Sequence, residues 1–234
     1  MNIKKISLGI SGAFAGIFLL AGSVLASSTL FGEASFVSPG SSSNSAVELV
    51  SDADPGFGGV SFSVPSEVST FVDLSVLSAD VNVTDDDCAG GGPRFQVRVD
   101  TGSGLKNIFV YIGPEPNYTG CTPNTWVNSG DLLDAARKID TSQLGGTFYD
   151  TYANALTNYG SYPVVSISLV TDSGWAFGDG EQTVRVDNVL VNSDLYTFEP
   201  PSTKDECKKD GWKAFSNPVF KNQGDCVSFV ASGK

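Results

Sequence analysis

Acid-base chemistry in this 234-residue chain has to be done by carboxylates, because it contains no histidine. A Ser-His-Asp triad, a Cys-His dyad and a zinc site with imidazole ligands are thereby excluded, since each needs a group that exchanges a proton near neutrality. Carboxylates are abundant, with 26 Asp and Glu against 14 Lys and Arg for a formal charge of -12, a balance that argues against a nucleic-acid partner. Glycoside hydrolysis by two carboxylates is the enzyme mechanism this composition readily allows. Glu115 and Glu181 are the loop glutamates nearest to aromatic residues, yet no spacing singles out a pair.

Two other kinds of site can be weighed from residue type. Asp85, Asp86 and Asp87 form the densest acidic run. They lack the spaced Asp pattern of a calcium loop and read as a solvated loop beside Cys88. A structural calcium ion is better placed on Asp52 and Asp54 with Asp187, if the two ends of a sandwich come together. Sugar faces stack on exposed rings, and Trp126, Trp175, Tyr118, Tyr149 and Tyr162 all lie in or beside Gly-, Pro- or Asn-rich segments. The opposing reading is that a sandwich needs aromatic core residues; a structural or adhesive protein without a small ligand would bury both Trp126 and Trp175.

The elements that must position these residues are mostly strands. Strand signals run through residues 46–50, 60–64 and 71–77. Phe95, Val97 and Val99 alternate with Gln96, Arg98 and Asp100, giving one buried and one wet face. Residues 108–112 are apolar throughout. Residues 164–170 and 183–191 read as a hairpin with a long acidic tip. Helix is expected at residues 131–138, and again where Thr147 and Asp150 form a capping box ahead of Tyr152, Ala155, Leu156 and Tyr159, stopping at Gly160. The fold class is all-β: a two-layer antiparallel sandwich, jelly-roll-like, with one or two short helices and a small C-terminal module.

Address and boundaries follow from composition. Lys4 and Lys5 precede an apolar run over residues 6–25, with small side chains at Val24 and Ala26, the pattern of a secretory signal peptide cleaved after Ala26. A retained membrane anchor is the alternative, since about 20 apolar residues span a bilayer. The remaining divisions are a flexible Ser/Gly-rich linker at 27–45, the sandwich at 46–199 and a module at 200–234. Four cysteines in an exported chain read as disulfides; the local pairs Cys88 with Cys121 and Cys207 with Cys226 are favoured because Pro200 and Pro201 separate them. Charge divides at the same place: residues 27–201 hold 22 acidic and 6 basic side chains, whereas 202–234 hold 4 and 6.

The tail residues Lys204, Asp205, Cys207, Gly211, Trp212, Phe215, then Phe220, Lys221, Asn222, Gln223, Gly224 and Cys226, resemble a short C-terminal module of secreted bacterial proteins of uncharacterised function. The closing run 184–191 and the opening run 47–52 are similar to the last and first strands of carbohydrate-binding-module jelly rolls, which lie side by side. The tail resemblance implies no activity, and the strand motifs bear on fold more than on function. The leading expectation is a secreted or cell-surface protein that binds without catalysis, with a glycan or cell-wall polymer as partner, and no stable membrane insertion once the signal is removed.

Overall fold

The computed structural model describes residues 27–52 and 56–233; the expected signal segment and Asp54 lie outside the described residues. In chain order the strands are β1 (Ser28–Gly32), β2 (Ala34–Val37), β3 (Ala46–Ser51), β4 (Gly58–Phe62), β5 (Leu77–Asp85), β6 (Arg94–Asp100), β7 (Leu105–Tyr111), β8 (Val127–Asn128), β9 (Lys138–Ile139), β10 (Asp150–Thr151), β11 (Val164–Thr171), β12 (Gln182–Val191) and β13 (Asp194–Tyr196). Two helices, α1 (Tyr152–Tyr159) and α2 (Gln223–Ser232), complete the set.

One sheet has the order β1-β4-β11-β6-β7 and the other β2-β3-β12-β5-β8, with β13 also on β12; β9 and β10 form a separate ribbon. The pairs within both sheets are antiparallel. The sheets face each other through alternate side chains. Val60, Phe62, Phe95, Val97, Ile108, Ile167 and Leu169 meet Val47, Leu49, Leu77, Val81, Val184 and Val186 in one buried cluster. Each such side chain contributes about 1.5–3 kcal/mol on burial, and the two-residue period leaves the intervening residues on the outer faces.

The N-terminal stretch is a correction to the expected linker. Residues 28–37 supply an edge strand to each sheet, because Leu30, Ala34 and Phe36 pack against the core. The serine-rich loop that follows is tied down: Ser41 N–H and Ser43 Oγ donate to Asp187 Oδ2 at 2.9 and 2.5 Å, and the Asn44 and Ser45 N–H groups donate to Glu199 at 2.8 and 2.7 Å.

Other local expectations give way to side-chain capping. Residues 131–138 form turns rather than a helix: Asp131 accepts from Leu133 N–H and Asp134 from Ala136 N–H, and these Asx contacts compete with helical bonding. Asp73 accepts from the Ser69 and Thr70 N–H groups, so Phe71–Asp73 is a short 3-10 turn that drops Phe71 and Leu74 into the core. Helix α1 starts later than expected, capped by Thr151, whose hydroxyl accepts from Asn154 N–H at 3.1 Å. Strands β11 and β12 are not a hairpin. They belong to different sheets, so residues 172–181 cross from one layer to the other.

Disulfides join Cys88 to Cys121 and Cys207 to Cys226. In the tail Cys207, Phe220 and Cys226 are buried with Trp212, Phe215 and Phe229 around them, a cluster distinct from the sandwich core. Ser216 Oγ lies 2.9 Å from Ser28 Oγ, and residues 214–216 face Tyr196, Phe198 and Glu199 across a cavity of about 180 Å³. Among the described residues no helix is long and apolar enough to cross a membrane.

Candidate functional site

The outer face of the five-stranded sheet carries the best-formed polar site. Alternation puts Gln96 and Arg98 of β6 outward while Phe95, Val97 and Val99 go in. Register then decides their neighbours. Gln96 lies opposite Ser168 and Phe109, and Ser168 lies opposite Ser61. One rung along, Arg98 lies opposite Ser166 and Asn107. These side chains and Phe31 line an open trough of about 430 Å³. Among the described residues no hydrogen bond reaches the side chains of Ser61, Gln96, Arg98, Asn107, Ser166 or Ser168.

Aromatic groups stand at both margins. On the β1 side the Phe31 ring covers Gly59, where a Cβ would fall 2.2 Å from the ring, so only glycine leaves room for it there. Phe57 tilts against Phe31 with centroids 6.2 Å apart. On the β7 side Arg94 lies 4.7 Å over the Phe109 ring and grips Asp172 through two contacts of 2.6 Å. Tyr111 donates to Asp140 at 2.7 Å. Burial, and then that bond, hold the Tyr111 hydroxyl well above its usual pKa, so it stays a neutral donor.

This floor can hydrogen-bond a hydroxylated ligand from either sense, because Ser, Asn and Gln both donate and accept while Arg only donates. No carboxylate lines the trough, so the acid and base that glycoside hydrolysis requires are not at hand there. Glu115 is engaged elsewhere, accepting from Lys138 N–H and the Tyr118 hydroxyl, and Glu181 accepts from Thr183.

The aromatic residues singled out by sequence do not converge. Tyr118 is buried and stacked on the exposed Tyr149 with the rings 5° apart in plane. Tyr162 is half-buried and pairs with Tyr159. Trp126, half-buried, precedes β8 at the edge of the opposite sheet. Trp175 is 74% exposed on the crossing loop. The alternation signal in β6 pointed to the trough, but its partner serines carried no signal of their own.

The acidic residues are also redistributed, which corrects the expected calcium set. Ser51 pairs with Gln182 while Val47 pairs with Val186. Asp52 and Asp187 therefore stand at opposite ends of the β3–β12 pair, roughly 15–20 Å apart at the strand rise. Asp187 is buried and satisfied by Ser41, Ser43 and the Asn188 N–H. Asp85, Asp86 and Asp179 instead bring three carboxylate oxygens within 4.8 Å of one another on the surface, a group that could hold a metal ion. Loss of water around Asp86, followed by the charge and hydrogen bond of Asp179, pushes its carboxyl above the ordinary range.

No protein-family model and no curated protein matches the chain. Among solved structures it is similar to the family 11 carbohydrate-binding module of a cellulosomal cellulase of Clostridium thermocellum, at 12% identity and a TM-score of 0.37 over 74% of this chain and 89% of that one. It is also similar to an exo-beta-agarase, at 13% identity and a TM-score of 0.34 over 75% of this chain but only 24% of the other. Scores this low carry no argument, and the sandwich rests on its own strand pairing.

Proposed function

We propose that this is an exported, non-catalytic glycan-binding protein whose ligand lies across the outer face of the five-stranded sheet. One observation carries the reading: six polar side chains line one trough, and none is hydrogen-bonded to another side chain or backbone group among the described residues. Phe31 at one margin and Phe109 opposite Gln96 at the other suit the apolar faces of sugar rings. Trp175 adds a second platform, and its exposure is contrary to what a ligand-free structural protein would show. The two disulfides fit an oxidising, extracellular setting. A calcium ion, in this reading, would sit on Asp85, Asp86 and Asp179 and stiffen the loops beside Trp175.

The test is a glycan and cell-wall polysaccharide array probed with the wild-type protein and with Gln96→Ala/Asn107→Ala. Both side chains are solvent-facing, so the fold survives. Losing two hydrogen bonds at about 0.5–1.5 kcal/mol each weakens a true hit by roughly tenfold or more. A silent array, or hits indifferent to both substitutions, overturns the assignment.

A further inference from the structure

Three of the four arginines in the body of this protein are paired with carboxylates, whereas Arg98 and the two lysines, Lys106 and Lys138, are not among the described ion pairs. Arg94 holds Asp172 at 2.6 Å, Arg185 lies 2.8 Å from Glu48 and Arg137 lies 4.0 Å from Glu115. Arg98 has no carboxylate partner among the described residues. The acidic side chain nearest to it on the same strand face is Asp100, and its Oδ1 is turned back to accept from Gly102 N–H at 2.8 Å. Among the described residues it is the one guanidinium of the body left without a carboxylate, in a segment with 22 acidic and 6 basic side chains.

Its surroundings match one kind of ligand. Arg98 is exposed on β6 with Ser166 in register on one side and Asn107 on the other. The guanidinium offers a planar fork of N–H donors that meets two oxygens of a carboxylate or sulfate at once. A hydroxyl and an amide beside it can complete the shell of the anion or bond the hydroxyls of the same sugar. The trough has no anionic lining to repel such a group. The net charge of -12 disfavours a polyanion at long range, so selectivity has to come from contact at this one arginine.

Resting on the glycan reading of the trough, we propose that its ligand is an acidic polysaccharide, whose uronate or sulfate group is held by Arg98 between Asn107 and Ser166. The class is shared by two chemistries, and matched polymers separate them: polygalacturonate against its carboxyl-reduced form, and dextran sulfate against dextran. Binding is measured by affinity electrophoresis with the whole protein, and thermal melts confirm that the variants are folded.

The expected result is that at least one anionic polymer binds tenfold or more tightly than its neutral counterpart. Arg98→Gln removes that preference, Arg98→Lys retains part of it, and Lys209→Ala/Lys221→Ala in the basic tail leaves it intact. Equal binding of charged and neutral forms overturns the proposal, as does retention in Arg98→Gln or loss in the tail variant. Neutral hits on the array without any response to the two anionic polymers overturn the acidic ligand and leave the glycan reading standing. A silent array removes both.

Discussion

Replacing Gly40 by alanine distinguishes an ordered N-terminal loop from a flexible one by the sign of its effect. A Cβ at Gly40 would fall 2.1 Å from Ser43 Oγ, 2.3 Å from the Ser45 carbonyl oxygen and 2.6 Å from Asp187 Oδ2. The serine hydroxyl can rotate, but the carbonyl is backbone, and Ser45 N–H is held by Glu199. Relief therefore means displacing the loop from Asp187, at an overpacking cost of about 1–3 kcal/mol. For a fold of this size each kcal/mol lowers Tm by roughly 2–4 °C, so Gly40→Ala is expected to melt about 2–12 °C below wild type in a thermal scan followed by circular dichroism. Gly178→Ala is the matched control, since a Cβ there meets nothing within 4 Å, and it should be neutral or gain up to about 1 kcal/mol from a less flexible unfolded chain. If Gly40→Ala melts with or above Gly178→Ala, the loop is not packed on Asp187 and the reasoning fails.

Two further outcomes are expected. Burial holds the Asp187 carboxyl above its usual pKa, with Asp80 adding repulsion and the donors from Ser43, Asn188 and Ser41 offsetting part of the shift. An acid raised on folding contributes stability below its unfolded pKa of about 3.9 and loses it as pH rises through the folded value. Wild type should therefore lose stability relative to Asp187→Asn between about pH 4 and the raised value, read from urea midpoints against pH; parallel curves would refute this. Removing the Cys207–Cys226 bridge, which spans 19 residues, costs about 3 kcal/mol in the chain-entropy model. The tail cluster is small, so Cys207→Ser/Cys226→Ser should open residues 202–233 to protease while the sandwich stays resistant. Loss of both together would show that the tail and body fold as one unit.

The strands that alternate or run wholly apolar were legible because a period of two is written directly into the residues, as in Phe95, Val97 and Val99. The sandwich followed from them. What the chain does not write locally is which strand lies beside which. Residues 164–170 and 183–191 look alike whether they form a hairpin or cross between layers, and only the partners of each decide it. The serine-rich stretch 41–45 reads as flexible from composition because the carboxylate that orders Ser41 and Ser43 lies more than 140 residues away. The trough was half legible. Gln96 and Arg98 were assigned to a wet face, but Ser61, Ser166 and Ser168 join them only through register. Exposure of rings was not legible at all, since Tyr118 and Trp175 sit in similar glycine-rich surroundings and end up 4% and 74% exposed.

The position of β12 in its sheet governs how this molecule can come into being. It bonds to β3 on one side and β5 on the other, and β13 pairs with it as well, yet it begins only at Gln182. Until that residue has been made, β3 and β5 have no common neighbour, and each presents an open edge of the kind that recruits foreign strands. Pairings such as Val47 with Val186 give the fold a high contact order, which slows closure. A fragment ending before Gln182 is therefore expected to aggregate rather than fold, and the complete chain to fold after synthesis rather than during it.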